Sequence, residues 1–279
     1  MDSHRLPRTI AEISSAGMMN PGTTGTGRAR AIVAGVIKKL LHMNQFEDLV
    51  SELLDCLERR EEGWCMNELL TRFQQGDNLD HLSYLLQHPD GRIAHIGSWV
   101  AAELGRDASP IIDVIFSNIT HSSASTRMHS IDSLAIILSD QPDEYMICRC
   151  IQSLDDVCQS VRWKVLDFMI ASSRRSLECA LDGFRSRPMH EYADGVWLLL
   201  EGDLAAIRNR LTTGSYHASM FALAAGLRTT SFAREVLDLA CKSSYQDVAR
   251  YANVKMGSLD HPLRRLLDSV RRRGTRRAT

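Results

Sequence analysis

The sequence predicts an all-helical chain built as a stack of antiparallel helix pairs, an α-solenoid. Apolar residues recur at helical spacing along most of the chain, with no convincing run of period-two alternation. Aromatic residues make up only 6% of the 279 residues, while Leu, Ala and Met are plentiful, a bias towards helix. One helical pattern also returns at a fixed interval, with Arg92, Arg127 and Arg162 each 35 residues apart.

In chain order, residues 1–27 are rich in Ser, Gly, Thr and Pro without period and read as a disordered N-terminal segment. Residues 28–77 read as an N-terminal helical cap. Ile32, Val33, Val36, Ile37, Leu40 and Leu41 form one apolar stripe, and Phe46, Leu49, Val50, Leu53, Leu54 and Leu57 a second. Trp64, Leu69, Leu70 and Phe73 give a third helix that ends near Gly76.

Residues 78–260 read as six helix pairs. On the 35-residue register Ile93 meets Met128 and Trp163, Ile96 meets Ile131 and Leu166, Trp99 meets Leu134 and Met169, and Val100 meets Ala135 and Ile170. These offsets lie on one helix face. Shorter helices fall between them at Leu79–Gln87, Ile111–Thr120 and Glu144–Leu154, each set off by a turn signal such as His88-Pro89-Asp90-Gly91. The pattern continues less regularly with Ser176–Phe184 and Met189–Leu200, Leu204–Leu211 and Tyr216–Leu227, and Phe232–Cys241 and Tyr245–Met256. Residues 261–279 read as a closing helix, Pro262–Val270, followed by a basic tail. Helix pairs recurring every ~30–45 residues mark a solenoid, because one pair cannot bury its apolar faces alone.

Asp156-Val157-Cys158-Gln159-Ser160-Val161-Arg162, with an Asp before the second helix and Val-Arg at its start, resembles the HEAT-repeat family. His88-Pro89-Asp90-Gly91-Arg92-Ile93 with Ala101-Ala102-Glu103-Leu104-Gly105 is similar to its shorter bacterial repeats. The resemblance covers residues 78–172 well and 174–258 loosely. It departs from the family pattern at His121, which stands in place of the Asp, and it leaves a one-residue slip at Arg92 open. It implies an all-α solenoid of HEAT-like helix pairs with N-terminal capping helices, and says little about chemistry.

The formal net charge of −1 hides a division, since residues 1–30 carry +2 and residues 261–279 carry +6, which leaves residues 31–260 at −9. An acidic body repels phosphate and favours a basic protein partner over nucleic acid. The seven Cys are odd in number and scattered, which suits free thiols in a reducing compartment. With neither a secretory signal nor a ~20-residue apolar span, the expectation is a cytoplasmic protein without a membrane span.

No cofactor or metal is expected. Cys148-x-Cys150 lacks the spacing of a zinc pair, and Gly22–Arg28 lacks the Lys-Ser/Thr of a phosphate loop. Gly-x-Ser-x-Gly is absent, so the expectation is a non-enzymatic scaffold. Its candidate binding residues are Arg92, His95, Arg127, Asp132, Arg162 and Asp167, of which Asp132 and Asp167 are expected along a ridge of the concave surface and His95 in a groove. An antitoxin-like immunity protein or an assembly adaptor fits the size and acidity. Two alternatives remain. Trp163 and Asp167 stand one helical turn apart, as in HEAT-like alkylpurine DNA glycosylases, and a bilin lyase of HEAT type would need a tetrapyrrole cleft.

Overall fold

The computed structural model describes residues 46–59, 62–229, 231 and 233–260. The predicted linker, first helical stripe and basic tail lie outside them. The chain divides into two compact units, residues 1–49 and 50–279. Of the first, only the opening turn of one helix is described.

The elements are α1 (Phe46–Glu58), α2 (Glu62–Gln74), α3 (Leu79–Leu86), α4 (Gly91–Leu104), α5 (Ile112–Ser117), α6 (Ala124–Asp140) and α7 (Glu144–Gln152). They continue as α8 (Gln159–Ala171), α9 (Arg174–Arg185), α10 (His190–Glu201), α11 (Leu204–Thr213), α12 (Tyr216–Arg228), α13 (Ala233–Ala240) and α14 (Gln246–Asp260). No strand occurs among the described residues. The fold is an α-solenoid, with α4 packed on α6 and α6 on α8 in one layer while α7 packs on α9 in the other.

Helix ends follow local chemistry. The side chains of Asn78, Asp90, Ser123, Asp143, Ser173, Asp203 and Ser215 each accept a backbone N–H from the first turn that follows. Gly76, with φ of 102°, stops α2, and Asp77 N–H then donates back to the Arg72 carbonyl at 3.2 Å. The expected helix Ile111–Thr120 is broken up. Pro110, which has no N–H to donate, sits in a 3-10 segment over Gly105–Ile111, and only Ile112–Ser117 is α-helical.

Cys56 and Cys65 form a disulfide, contrary to the expectation that all seven cysteines stay free. The α1–α2 hairpin brings their Cα atoms to 6.7 Å, and both side chains are buried. Cys148, Cys150, Cys158, Cys179 and Cys241 are free, with the first two buried.

Burial corrects the repeat register. Thr126, Ser130, Ile131, Ser133 and Leu134 on α6 match Val161, Val165, Leu166, Phe168 and Met169 on α8 at the expected 35 residues, and all are buried. On α4, however, the matching set is Ile93, Gly97, Ser98, Val100 and Ala101, which lies 33 residues before α6. The turns obey the same spacing. His88 Nδ1 accepts from Asp90 N–H, His121 Nδ1 from Ser123 N–H, and Asp156 Oδ1 from Cys158 N–H, at 3.1, 3.0 and 2.7 Å. His121 thus does the work of the Asp it replaces. The residue equivalent to Arg127 and Arg162 is Ala94, and Arg92 is two positions out.

After α8 the stack changes character. The neighbour α8 takes is α12 and not α10, and α12 also packs on α10, α11, α13 and α14. Every residue from Ala218 to Gly226 is buried, as expected of a helix surrounded on all sides. The segment Ala218-Ser-Met-Phe-Ala-Leu-Ala-Ala-Gly226 contains no charge, so this position costs no desolvation of an ion. Glycine allows the close approach, since a Cβ on Gly195 of α10 would fall 2.3 Å from the Phe221 ring of α12.

Buried helix C-termini are satisfied by side chains from later elements. Asn118 donates to the Leu86 carbonyl and Ser176 to the Leu138 carbonyl, both at 2.9 Å. Arg228, at the end of α12, donates from one nitrogen to the carbonyls of Met169, Ile170 and Ser172 at 2.8, 3.0 and 2.7 Å, closing the end of α8.

Candidate functional site

The six residues singled out from sequence are all engaged within the chain. Arg127 grips Asp156 with two nitrogens and donates a third to the carbonyls of His121 and Ser122. Both side chains of the pair are only 11% exposed. Burial alone would raise the Asp156 pKa, but hydrogen bonds from Arg127 and from Cys158 N–H outweigh it and hold the carboxyl low. Arg162 pairs with Asp247 of α14 and donates to the Asp156 carbonyl. Arg127 thus fastens the turn before α6 to the turn before α8, and Arg162 ties the latter to the first turn of α14. Arg92, out of register, makes only an exposed pair with Asp90.

His95 packs against His129 with ring centroids 5.2 Å apart. Burial, then the neighbouring His95 and Lys164, lower the His129 pKa to about 4. Asp132 pairs with Lys164 at 3.0 Å. Asp167 accepts from Tyr251 at 2.6 Å and from Lys255 at 2.8 Å. The expected acidic ridge is therefore neutralised by lysines supplied within the fold.

The Trp163 and Asp167 pair is covered by α14. The half-buried indole donates Nε1–H to the Asp247 carbonyl at 3.2 Å and meets Tyr251 edge-on at 5.7 Å. Tyr216 adds a hydroxyl to Asp247 at 3.1 Å, so the N-terminal turns of α8, α12 and α14 converge on one carboxylate. Nearby, His217 lies between Asp155 at 2.8 Å and Glu191 at 3.5 Å, but Ser215 donates to Glu191 and caps α12 rather than facing the imidazole. No hydroxyl nucleophile is thereby paired with that histidine. Among the described residues no group of three His, Cys, Asp or Glu could hold a metal, and no helix is long and apolar enough to cross a membrane.

A surface that combines an exposed tryptophan with a carboxylate lacking a partner among the described residues lies on α10. Glu191, Asp194, Trp197 and Glu201 are spaced by three, three and four residues and form its exposed face. Trp197 is 51% exposed, and the Arg185 guanidinium stacks 5.6 Å from its ring. Two adjoining cavities of about 290 and 270 Å³ follow this face along α11 and share Asp194, Leu198 and Arg210. Gly195, Ala218 and Phe221 line the first, and Trp197, Glu201, Asp203 and Ala206 the second. Glu201 is held by Arg174 and Asp203 caps α11, whereas Asp194 forms no ion pair or hydrogen bond among the described residues. Sequence reasoning passed this face over. Its available signal was a tryptophan amid acids on the polar side of an amphipathic helix.

No protein-family model matches the chain, and no curated protein matches it in sequence. Among solved structures, an engineered protein aligns at 13% identity over 78% of this chain and 92% of its own, with a TM-score of 0.44. A designed armadillo repeat protein aligns at 12% identity over 80% of this chain and 98% of its own, again at 0.44. Similarity at that level says nothing of what the chain binds.

Proposed function

We propose that the chain is a HEAT-like protein-binding scaffold that holds a basic partner on the acidic face of α10. The observation that carries this reading is a half-exposed tryptophan set among carboxylates beside an open groove. Trp is enriched at the energetic centres of protein interfaces because it covers much area at little entropic cost. The carboxylates supply attraction and orientation for a partner of opposite charge. Inhibition of a basic protein, as by an immunity protein, is a narrower form supported by acidity and size alone.

The test is affinity capture from the source cell with the native chain and with an Asp194→Arg/Glu201→Arg variant. The expected result is a basic protein retained by the first and lost by the second. A partner held equally by both would place the binding surface elsewhere.

A further inference from the structure

We infer that the α10–α11 groove recognises arginine side chains in particular, so that the partner presents an arginine-bearing segment rather than a lysine-rich one. The inference rests on the α10 reading above and adds to it the chemistry of the contact.

Trp197 already shows which cation it accepts. Arg185 lies over its ring at 5.6 Å with no carboxylate partner among the described residues, so stacking on the indole is what positions this guanidinium. A planar, weakly hydrated guanidinium stacks on an aromatic face at less desolvation cost than a compact ammonium. Trp197 also lines the second cavity, whereas Arg185 does not, which leaves the cavity side of the indole to a ligand. There Asp194 stands one helical turn before Trp197 with no hydrogen bond or ion pair among the described residues, and Glu201 stands one turn after it. A guanidinium entering the cavity could stack on the indole while directing its N–H fork at Asp194, a geometry an ammonium cannot reproduce. At about 270 Å³ the cavity suits one or two side chains rather than a drug-sized ligand. Arg210, the one cation lining it, is outnumbered there by Asp194 and Asp203, with Glu201 already paired to Arg174.

The experiment titrates the full chain into a fluorescein-labelled hexa-arginine peptide and a hexa-lysine twin at low ionic strength, with fluorescence anisotropy as the readout. The native chain is expected to bind hexa-arginine roughly three- to ten-fold more tightly than hexa-lysine, the span of a moderately exposed cation–π contact. Trp197→Ala should abolish that preference, and Asp194→Asn should weaken hexa-arginine binding several-fold. Asp113→Asn, which removes the same charge from the exposed face of α5, should leave it unchanged. Trp197 and Asp194 are exposed, so the fold is retained, and circular dichroism verifies that. Equal affinity for the two peptides, with both lost on Asp194→Asn, would overturn arginine recognition while leaving the acidic-surface reading intact. Affinity indifferent to both α10 substitutions would overturn both.

Discussion

Arg127 and Asp156 meet in a two-point ion pair, Nε to Oδ2 at 2.6 Å and Nη2 to Oδ1 at 2.8 Å, across 29 residues of chain. The same carboxylate accepts Cys158 N–H in the turn before α8. Asp156→Ala removes both roles and strands a largely buried guanidinium, so it should cost about 3–5 kcal/mol in a urea titration. Asp156→Asn keeps a turn acceptor and should cost less. Equal losses for the two would mean that the ion pair contributes nothing beyond the turn.

Arg228 serves the end of α8 with three hydrogen bonds to carbonyls. Burial lowers its pKa, with no carboxylate among the described residues to offset it. Arg228→Met keeps the apolar stem and deletes the donors, leaving carbonyls without partners. The expected loss is about 2–3 kcal/mol by thermal or chemical unfolding, and Arg228→Lys should recover part of it.

Acid should destabilise the protein in a defined window. His129 titrates at about 4 when folded against 6.5 as a free group. Burial lowers the His121 pKa too, with Arg127 adding to the effect. Between those values the unfolded chain binds more protons than the folded one, so stability falls as pH drops from about 6.5 towards 4. His129 alone accounts for up to about 3 kcal/mol. Melting temperatures measured across this range should fall steeply for the native chain and less steeply for His129→Gln. Parallel curves would remove His129 as the cause.

Two glycines should respond oppositely to alanine. On Gly195 a Cβ would sit 2.3 Å from Phe221, between the closely packed α10 and α12, and the overpacking should cost about 1–3 kcal/mol. On Gly257, in the exposed part of α14, a Cβ meets nothing within 4 Å, and Gly257→Ala should stabilise by up to about 1 kcal/mol. Differential scanning calorimetry of the two variants gives the sign of each.

Helices α4, α6 and α8 were legible because their buried residues recur at helical spacing. The slip at α4 was not, since the sequence pairs Arg92 with Arg127 by identity. What sets the register is a side-chain acceptor two residues before the N-cap, and His88, His121 and Asp156 fill that role with different chemistry. The surroundings of α12 were hidden for a different reason. A helix buried on every side has no polar face to reveal which neighbours it meets. Arg162 and Asp167 were readable as charged positions on α8, but their partners Asp247, Tyr251 and Lys255 come 84 to 88 residues later, beyond the reach of any periodicity. On α10 the acids and Trp197 lay in plain view and were passed over for want of a repeat column.

The tie between Arg162 and Asp247 spans 85 residues and makes the chain unlike a row of independent modules. Where each unit touches only the next, an array can fray from its last member and lose stability by increments. Here α14 clamps the middle of the chain and the core is threaded through α12, so α13 and α14 cannot peel away without exposing α8. Loss of order should therefore be all-or-none over residues 124–260, and folding should wait on a contact between segments far apart in sequence.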